Sequence, residues 1–300
     1  MASPILKWVG GKRGLVPELL KHVPDDFNDY YEPFCGGAAL FFALDAEPGA
    51  FLHLNDHLND SNPHLINVYT QVRDNVEEVI DRLKLADSIA FAPGADFRAN
   101  YMAVRGLFND ERVVEPSHRA AYFIAINRWG FNGLWRVNKK GECNVPPGRF
   151  FDARRRVPQT PPLMNHAKTL RAASAALKGV EITCGDFAQA VKGAKAGDLV
   201  YFDPPYIPVT TTADFTSYTA EGFDGDAQKR LLVEADILTH RGVHVIISNS
   251  DTPHTRKLLE YIPGRADFWQ LHEVQARRAV NCNAKKRGKV GELIIVGRSS

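Results

Sequence analysis

Two blocks of strand–helix alternation, held apart by a long stretch with purely helical spacing, constrain the fold of this chain more than any other feature. In the first block YYEPFCGGAALFFALDA (30–46) reads as strand, glycine turn and helix. AFLHLNDH (50–57) reads as a second strand ending in Asn55-Asp56. From residue 61 to 129 the pattern changes: Val76, Val79, Ile80 and Leu83 recur at helical spacing, as do apolar positions in 101–108 and 120–126. GLWRVNKKGECNVPPG (133–148) then gives two short segments around Lys139-Lys140-Gly141, the pattern of a hairpin with a glycine in its turn. A proline cluster at 158–162 marks a boundary. Alternation returns with strands at VEITCGD (180–186), DLVYFDPPY (198–206) and VHVIISNS (243–250), helices at 224–240 and 254–262, and closing strands at FWQLHEVQA (268–276) and ELIIVG (292–297). Strand–helix alternation on both sides of an insertion predicts an α/β core with a largely parallel sheet.

The formal net charge is only +2, so charge alone does not announce a polyanionic partner. Its distribution says more. Arg128, Arg136, Lys139, Lys140, Arg149 and Arg154 to Arg156 stand against only Glu142 and Asp152, and the run from Arg277 to Lys289 has no acidic residue. Two basic runs flanked by aromatics point to a polyanion. Cys35, Cys143, Cys184 and Cys282 are too dispersed for a zinc site and fit reduced thiols in a cytoplasm. No metal is expected. No run has the length of a membrane span, and the amino terminus has no long apolar segment of the kind a secretion signal needs.

Ligands in open α/β sheets bind at the carboxyl ends of strands. Three such ends carry chemistry here: EPFCGG (32–37), LND (54–56) and DPPY (203–206). Gly36 and Gly37 let a ligand approach the backbone. Asp56 stands where an acidic residue accepts from ribose hydroxyls, with Asp60 as the second choice. The loop is neither G-x-G-x-x-G nor a P-loop, which disfavours a dinucleotide or a nucleoside triphosphate and favours an adenosine without phosphate. At DPPY the prolines stiffen the backbone, Asp203 offers a charged acceptor and Tyr206 a face for a flat base. A carboxylate and a backbone carbonyl together can grip both hydrogens of an exocyclic amine.

With these motifs in this order the chain resembles the DNA adenine methylase (Dam) family, alpha group, of S-adenosylmethionine-dependent N6-adenine DNA methyltransferases. LKWVGGK (6–12) is similar to the family's amino-terminal cofactor motif, YYEPFCGGAALFF to its glycine motif, DPPY to its catalytic motif, and FNGLWRVNKKGECNVPPGRF (131–150) to its DNA-recognition hairpin. The resemblance implies a class I methyltransferase (Rossmann-like) core from 1–60 and 163–300. It makes 61–162 a helical DNA target-recognition domain carrying the hairpin. It implies catalysis by Asp203, Pro204, Pro205 and Tyr206. Trp8, Gly10, Gly11, Lys12, Phe34, Gly36, Asp56, Asp186, Phe187 and Asp203 are the cofactor contacts it implies. DNA contacts carried over in the same way are Arg128, Phe131, Asn132, Leu134, Arg136, Lys139, Lys140, Pro146, Arg149 and Phe150. The implied partner is double-stranded DNA, flipped at the target adenine and resembling GATC in sequence, bound by a monomer or weak dimer in a bacterial or phage-infected cytoplasm. The segment 210–223 reads as a loop that closes over the base, and 277–289 as a backbone contact. Related pockets act on cytosine N4, RNA bases or protein amides. Asp203 together with the Arg136 hairpin favours DNA adenine among them.

Overall fold

A computed structural model describes residues 2–8, 10–46, 55–92, 94–148, 151–152, 157–158, 163–206, 223–260, 262, 268–277 and 289–297. In chain order the elements are α1 (Val16–Leu19), β1 (Asp29–Glu32), α2 (Ala39–Ala46) and β2 (Asn55–Asp60), then α3 (Pro63–Asp74), α4 (Val76–Ala90), α5 (Phe97–Asn109) and α6 (Pro116–Trp129). After these come the two-residue strands β3 (Phe151–Asp152) and β4 (Val157–Pro158), which pair antiparallel, and α7 (Ala167–Ala176). The chain closes with β5 (Glu181–Cys184), α8 (Phe187–Ala190), β6 (Leu199–Phe202), α9 (Gly225–His240), β7 (His244–Ser250), α10 (Pro253–Leu259), β8 (Trp269–Arg277) and β9 (Lys289–Gly297).

The chain divides into two compact units, Met1–Gly11 with Pro63–Lys178, and Lys12–Asn62 with Gly179–Ser300. The second unit holds a seven-stranded sheet in the order β5-β2-β1-β6-β7-β9-β8. β5, β2, β1, β6 and β7 run parallel, and β9 is antiparallel to both β7 and β8. The expected α/β core is therefore present. All four residues of β6 are buried, as a strand between parallel neighbours with both faces covered demands. Tyr31, Val200, Phe202, Ile247 and Ile295 join Leu231, Leu232, Ala235 and Leu238 of α9 in one core layer. On the opposite face α2 lies against β1, where the Phe41 N–H donates to Glu32. Asp224 caps α9 by accepting from Asp226 N and Ala227 N, which sets that helix where the sequence placed it.

β2 departs from expectation. The strand does not end at Asn55-Asp56 but continues to Asp60. Its NDHLND sequence lacks the apolar pattern of an interior strand, yet it lies between β1 and β5. Asn59 makes this possible. It is 3% exposed, donates to the Pro33 and Gly185 carbonyls at 3.0 Å each, and accepts from the Thr183 hydroxyl at 2.9 Å. Every polar end of the buried amide is matched, so a polar residue fills an interior position.

The first unit is a helical bundle around α6, whose residues from Ala120 to Asn127 are all buried. A helix apolar on every side belongs at a bundle's centre. The compact unit runs on to Lys178, because α7 joins it: Arg171 pairs with Glu77 at 2.6 Å, and Leu170 and Ala173 are buried. Just before α7, the Leu163 and Met164 N–H groups donate to Asp87 of α4 at 2.8 Å each. The amino-terminal segment also belongs here. Asn127 of α6 accepts from Lys7 N at 2.8 Å and donates to Lys7 O at 2.7 Å and to Gly133 O at 3.2 Å. Gly133 packs so close to Lys7 that a Cβ would meet Lys7 Cβ at 2.5 Å. Asn127→Ala strips three backbone groups of their partner and should lower stability by about 1–3 kcal/mol, read as a lower urea midpoint at unchanged slope.

Candidate active site

Strand order reverses between β1 and β6, whose pairing runs through Tyr30↔Leu199 and Tyr31↔Val200. A crevice opens where order reverses in such sheets, at the carboxyl ends of the strands. Here those ends deliver Pro33 to Gly37 from β1 and Asp203 to Tyr206 from β6.

Asp203 follows the buried run of β6 directly. Burial pushes its carboxyl above the ordinary value, while the Lys12 ammonium and hydrogen bonds from Lys12 and Ser248 pull it back. Lys12 Nζ lies 2.7 Å from Asp203 Oδ1 and 4.5 Å from the centroid of the Tyr206 ring. Lys12 is only 7% exposed. Ser248 of β7 donates its hydroxyl to Asp203 Oδ1 at 2.9 Å, and Tyr201 lies 2.9 Å from the same Ser248 oxygen. With the Ser248 proton committed to a carboxylate, the Tyr201 hydroxyl donates to Ser248. The Tyr206 hydroxyl donates to Glu292 of β9 at 2.5 Å. Gln228 of α9 donates to the Pro205 carbonyl at 3.4 Å.

Glu32 ends β1 on the same sheet face as Tyr201. It is 2% exposed and accepts from the Tyr30 hydroxyl at 3.0 Å and Phe41 N at 3.3 Å. Burial is the main reason its pKa rises to about 8, and Asp203 and Asp56 add repulsion.

The glycine turn meets the end of β2. Gly36 adopts φ 45°, a left-handed conformation that glycine takes at little cost, and its N–H donates to Asp60 Oδ2 at 3.1 Å. Asn62 N donates to Asp60 Oδ1 at 2.9 Å. These bonds lower the Asp60 pKa, but burial outweighs them and leaves it at about 6. Asp56 pairs with Tyr30 near the amino end of β2, away from this turn. The acidic residue at the carboxyl end is Asp60. Phe34 stacks on Phe187 with centroids 5.2 Å apart and planes at 28°, and meets Phe223 edge-on at 5.5 Å. Asp186 caps α8 through Ala188 N at 3.0 Å and pairs with Arg230, whose guanidinium lies 4.6 Å from the Phe187 ring centroid.

This donor set fits an adenosine moiety and does not fit a phosphate. The glycine-turn N–H that would bind a phosphate oxygen is already given to a carboxylate, which repels anions and welcomes hydroxyl donors. Among the described residues no group of three or more His, Cys, Asp or Glu side chains is placed to hold a metal ion, and no helix is long and apolar enough to cross a membrane.

In the helical unit Trp8 stacks on Phe123 at 6.2 Å, Gly10 has φ +80°, and Gly11 N donates to Trp8 O at 3.1 Å. The expected hairpin is present: Val137 bridges Cys143, Gly130 bridges Pro147, and Gly141 N closes the turn on Asn138 O at 2.9 Å. Its residues alternate. Phe131, Asn132, Arg136, Lys139, Lys140 and Pro146 are exposed, Leu134 is half-buried, and Gly133, Trp135, Cys143 and Val145 are buried. Trp135 packs on Phe123 at 4.5 Å, and α5 clamps the returning arm: Tyr101 and Arg105 donate to Val145 O, and Asn109 to Cys143 O. Arg136 donates from Nε to Asn144 Oδ1 at 2.6 Å and from Nη2 to Asn144 O at 3.2 Å. Arg128, half-buried, donates to the Ile5 carbonyl within its own unit. Arg149, Phe150, Arg154 to Arg156, residues 210–222 and most of 277–289 lie outside the described residues.

Glu32, Ser248 and Glu292 were missed by the sequence reading. The available signal was a polar side chain at the end of each apolar run, DYYE, VIIS and the reversed ELIIV.

A family model described as D12 class N6 adenine-specific DNA methyltransferase matches residues 8–280 of this chain. A type II methyltransferase of Lactococcus lactis subsp. cremoris is 37% identical over 97% of this chain and 94% of its own. A DNA adenine methylase of Vibrio cholerae is 34% identical over 97% and 94%. Among solved structures, a precorrin-6y C5,15-methyltransferase from Geobacter metallireducens aligns with a TM-score of 0.39 at 9% identity, over 99% of this chain and 100% of that one.

Two titrations test these assignments. Unfolded, the Glu32 carboxyl releases its proton near the ordinary 4.5; folded, it does so near 8. Its contribution is complete below the lower value and is lost as pH rises through the higher one. Stability should fall by up to about 1.4 kcal/mol per pH unit across that window, and Glu32→Gln should flatten this dependence in thermal melts from pH 5 to 9. Lys12→Met removes the cation that pulls Asp203 down, so Asp203 should titrate at a higher pH than in the native chain, read from its carboxyl carbon shift by NMR.

Proposed function

The chain belongs to the D12 class of N6 adenine-specific DNA methyltransferases, and from that membership we propose that it methylates a flipped adenine in duplex DNA, within GATC, using S-adenosylmethionine. One observation carries the reading. An amino nitrogen, here that of Lys12, is already held 2.7 Å from Asp203 and 4.5 Å from the Tyr206 ring centroid. A carboxylate beside an aromatic face is a seat for an amine borne on a flat ring.

Adenine inside a duplex hides its N6 from any enzyme, so the base is extruded into a pocket. The ring stacks on Tyr206. Its amine donates to Asp203 and to the Pro204 carbonyl, which draws the nitrogen lone pair out of conjugation. Asp203 stabilises the positive charge that builds on N6 and so lowers the barrier where a fixed carboxylate acts most strongly. Holding the amine in line with the donor removes the entropic cost of a bimolecular encounter. S-adenosylmethionine, when bound, would supply an electrophilic methyl group and leave as the neutral thioether, and the proton that the transfer makes acidic on N6 would pass by way of Asp203 to solvent. Asp60 would accept from its ribose hydroxyls, Asp186 from its adenine amine, and Phe34 and Phe187 would provide the apolar wall.

Recognition rests on the hairpin, with catalysis in the unit that holds the sheet. A two-stranded ribbon fits the major groove. Asn144 grips Arg136 by Nε and Nη2, which orients the guanidinium for a guanine. The exposed Phe131 enters the base stack, Asn132 and Pro146 approach base edges, and Lys139 and Lys140 bind phosphates. A monomer suffices, since it modifies one strand at a time, and the reaction belongs in a bacterial or phage-infected cytoplasm where DNA lies.

The test uses radiolabelled S-adenosylmethionine with one duplex containing a single GATC and another with that site scrambled. N6-methyladenine should come from the first alone. Asp203→Ala should abolish transfer, and Arg136→Ala should cut the preference for GATC by about 1–3 kcal/mol, roughly ten- to a hundredfold. N6-methyladenine from both duplexes in the native protein would refute the GATC assignment, and label on cytosine would refute the acceptor.

A further inference from the structure

We propose that Glu292 is a positioning residue for Tyr206: it fixes the plane on which the target base stacks. The inference rests on the reading of Tyr206 as that platform. Pro204 and Pro205 stiffen the backbone before Tyr206 but leave its side-chain torsions free. The ring needs a separate restraint at its far end, and the hydroxyl is the only atom there that can take one. Its partner, Glu292 Oε2 at 2.5 Å, is a carboxylate that is itself 4% exposed.

The carboxylate is held from both sides. Glu292 pairs across β9 with Ser250 of β7 and with Val274 of β8. Directly opposed residues share a sheet face, so Glu292 lies on the face that carries Ser248, Tyr201 and Asp203. Leu293, Ile294, Ile295 and Val296 continue the strand as buried apolar residues, so the packing itself calls for an apolar side chain at 292. A buried carboxylate there is costly unless donors meet it. What it gains is an aimed, short, charge-assisted bond to the one aromatic residue of the DPPY motif.

The experiment first confirms that the native protein forms N6-methyladenine. It then compares Glu292→Met, Glu292→Gln, Tyr206→Phe and the Met/Phe double variant. Glu292→Met keeps volume and removes the acceptor, whereas Glu292→Gln keeps an oxygen that can accept the same O–H. The Met variant should lose roughly ten- to a hundredfold in kcat, as small misplacements of reacting groups do, with KM for cofactor and DNA nearly unchanged. Glu292→Gln should recover most of that loss. Tyr206→Phe should copy the Met variant, and the double variant should lose no more than the worse single one. With 2-aminopurine at the target position, the Met variant should leave the flipped base brighter than the native protein does, because stacking on the ring quenches it. Native kcat in Tyr206→Phe, which needs no folded Glu292 variant, would overturn the proposal. So would additive losses in the double variant, or a melting-temperature change with kcat intact. A native protein that makes no N6-methyladenine would remove the underlying reading before any variant is compared, and the proposal with it.

Discussion

A negative charge at the end of a fully buried strand is the constraint around which the sheet's polar end is organised. Asp203 cannot sit there unaccompanied, because burial of an unpaired carboxylate is prohibitive. Lys12 answers it directly, and Ser248 adds a hydroxyl backed by Tyr201. Two more carboxylates, Glu32 and Glu292, share that sheet face, and they are settled differently. Glu32 keeps its proton up to a pH of about 8, and Glu292 takes the hydroxyl of Tyr206.

The acidic end of β2 changes the chemistry of the glycine turn in a similar way. A glycine turn at a parallel strand's end is a common phosphate cradle, but here Gly36 N points at Asp60. The same backbone geometry is thereby converted from an anion site into one suited to hydroxyls. The absence of a G-x-G-x-x-G spacing pointed the same way.

Elements whose burial is self-announcing were legible in the sequence. β6, β7 and β9 are apolar runs because both faces of the sheet are covered, and α9 carries its own Asp224 cap. The hairpin was legible from its turn, and its exposed face holds Phe131, Asn132, Arg136 and Pro146. β2 was misjudged because a matched amide, Asn59, replaces the apolar residue that pattern reading expects. The bond from Arg128 to the Ile5 carbonyl was not legible, because a sequence does not show which carbonyl a long side chain will find. Ser248 and Glu292 escaped for a related reason. Each acts across strands on a residue distant in sequence, and no spacing rule connects 248 with 203 or 292 with 206.

The chain passes from one unit to the other after Gly11, Asn62 and Lys178. Neither unit is a continuous stretch of polypeptide, and that has a consequence for synthesis. β1 and β2 leave the ribosome early, but β6, which pairs with β1, follows only after the whole helical segment. The helices can close through contacts near in sequence while the two early strands wait with an unpaired edge. Pairing them demands closure of a long loop, the slow kind of contact in folding. The sheet face that carries Asp203 is therefore completed late, and a chain cut short before β6 has no Asp203 and an open strand edge where aggregation begins.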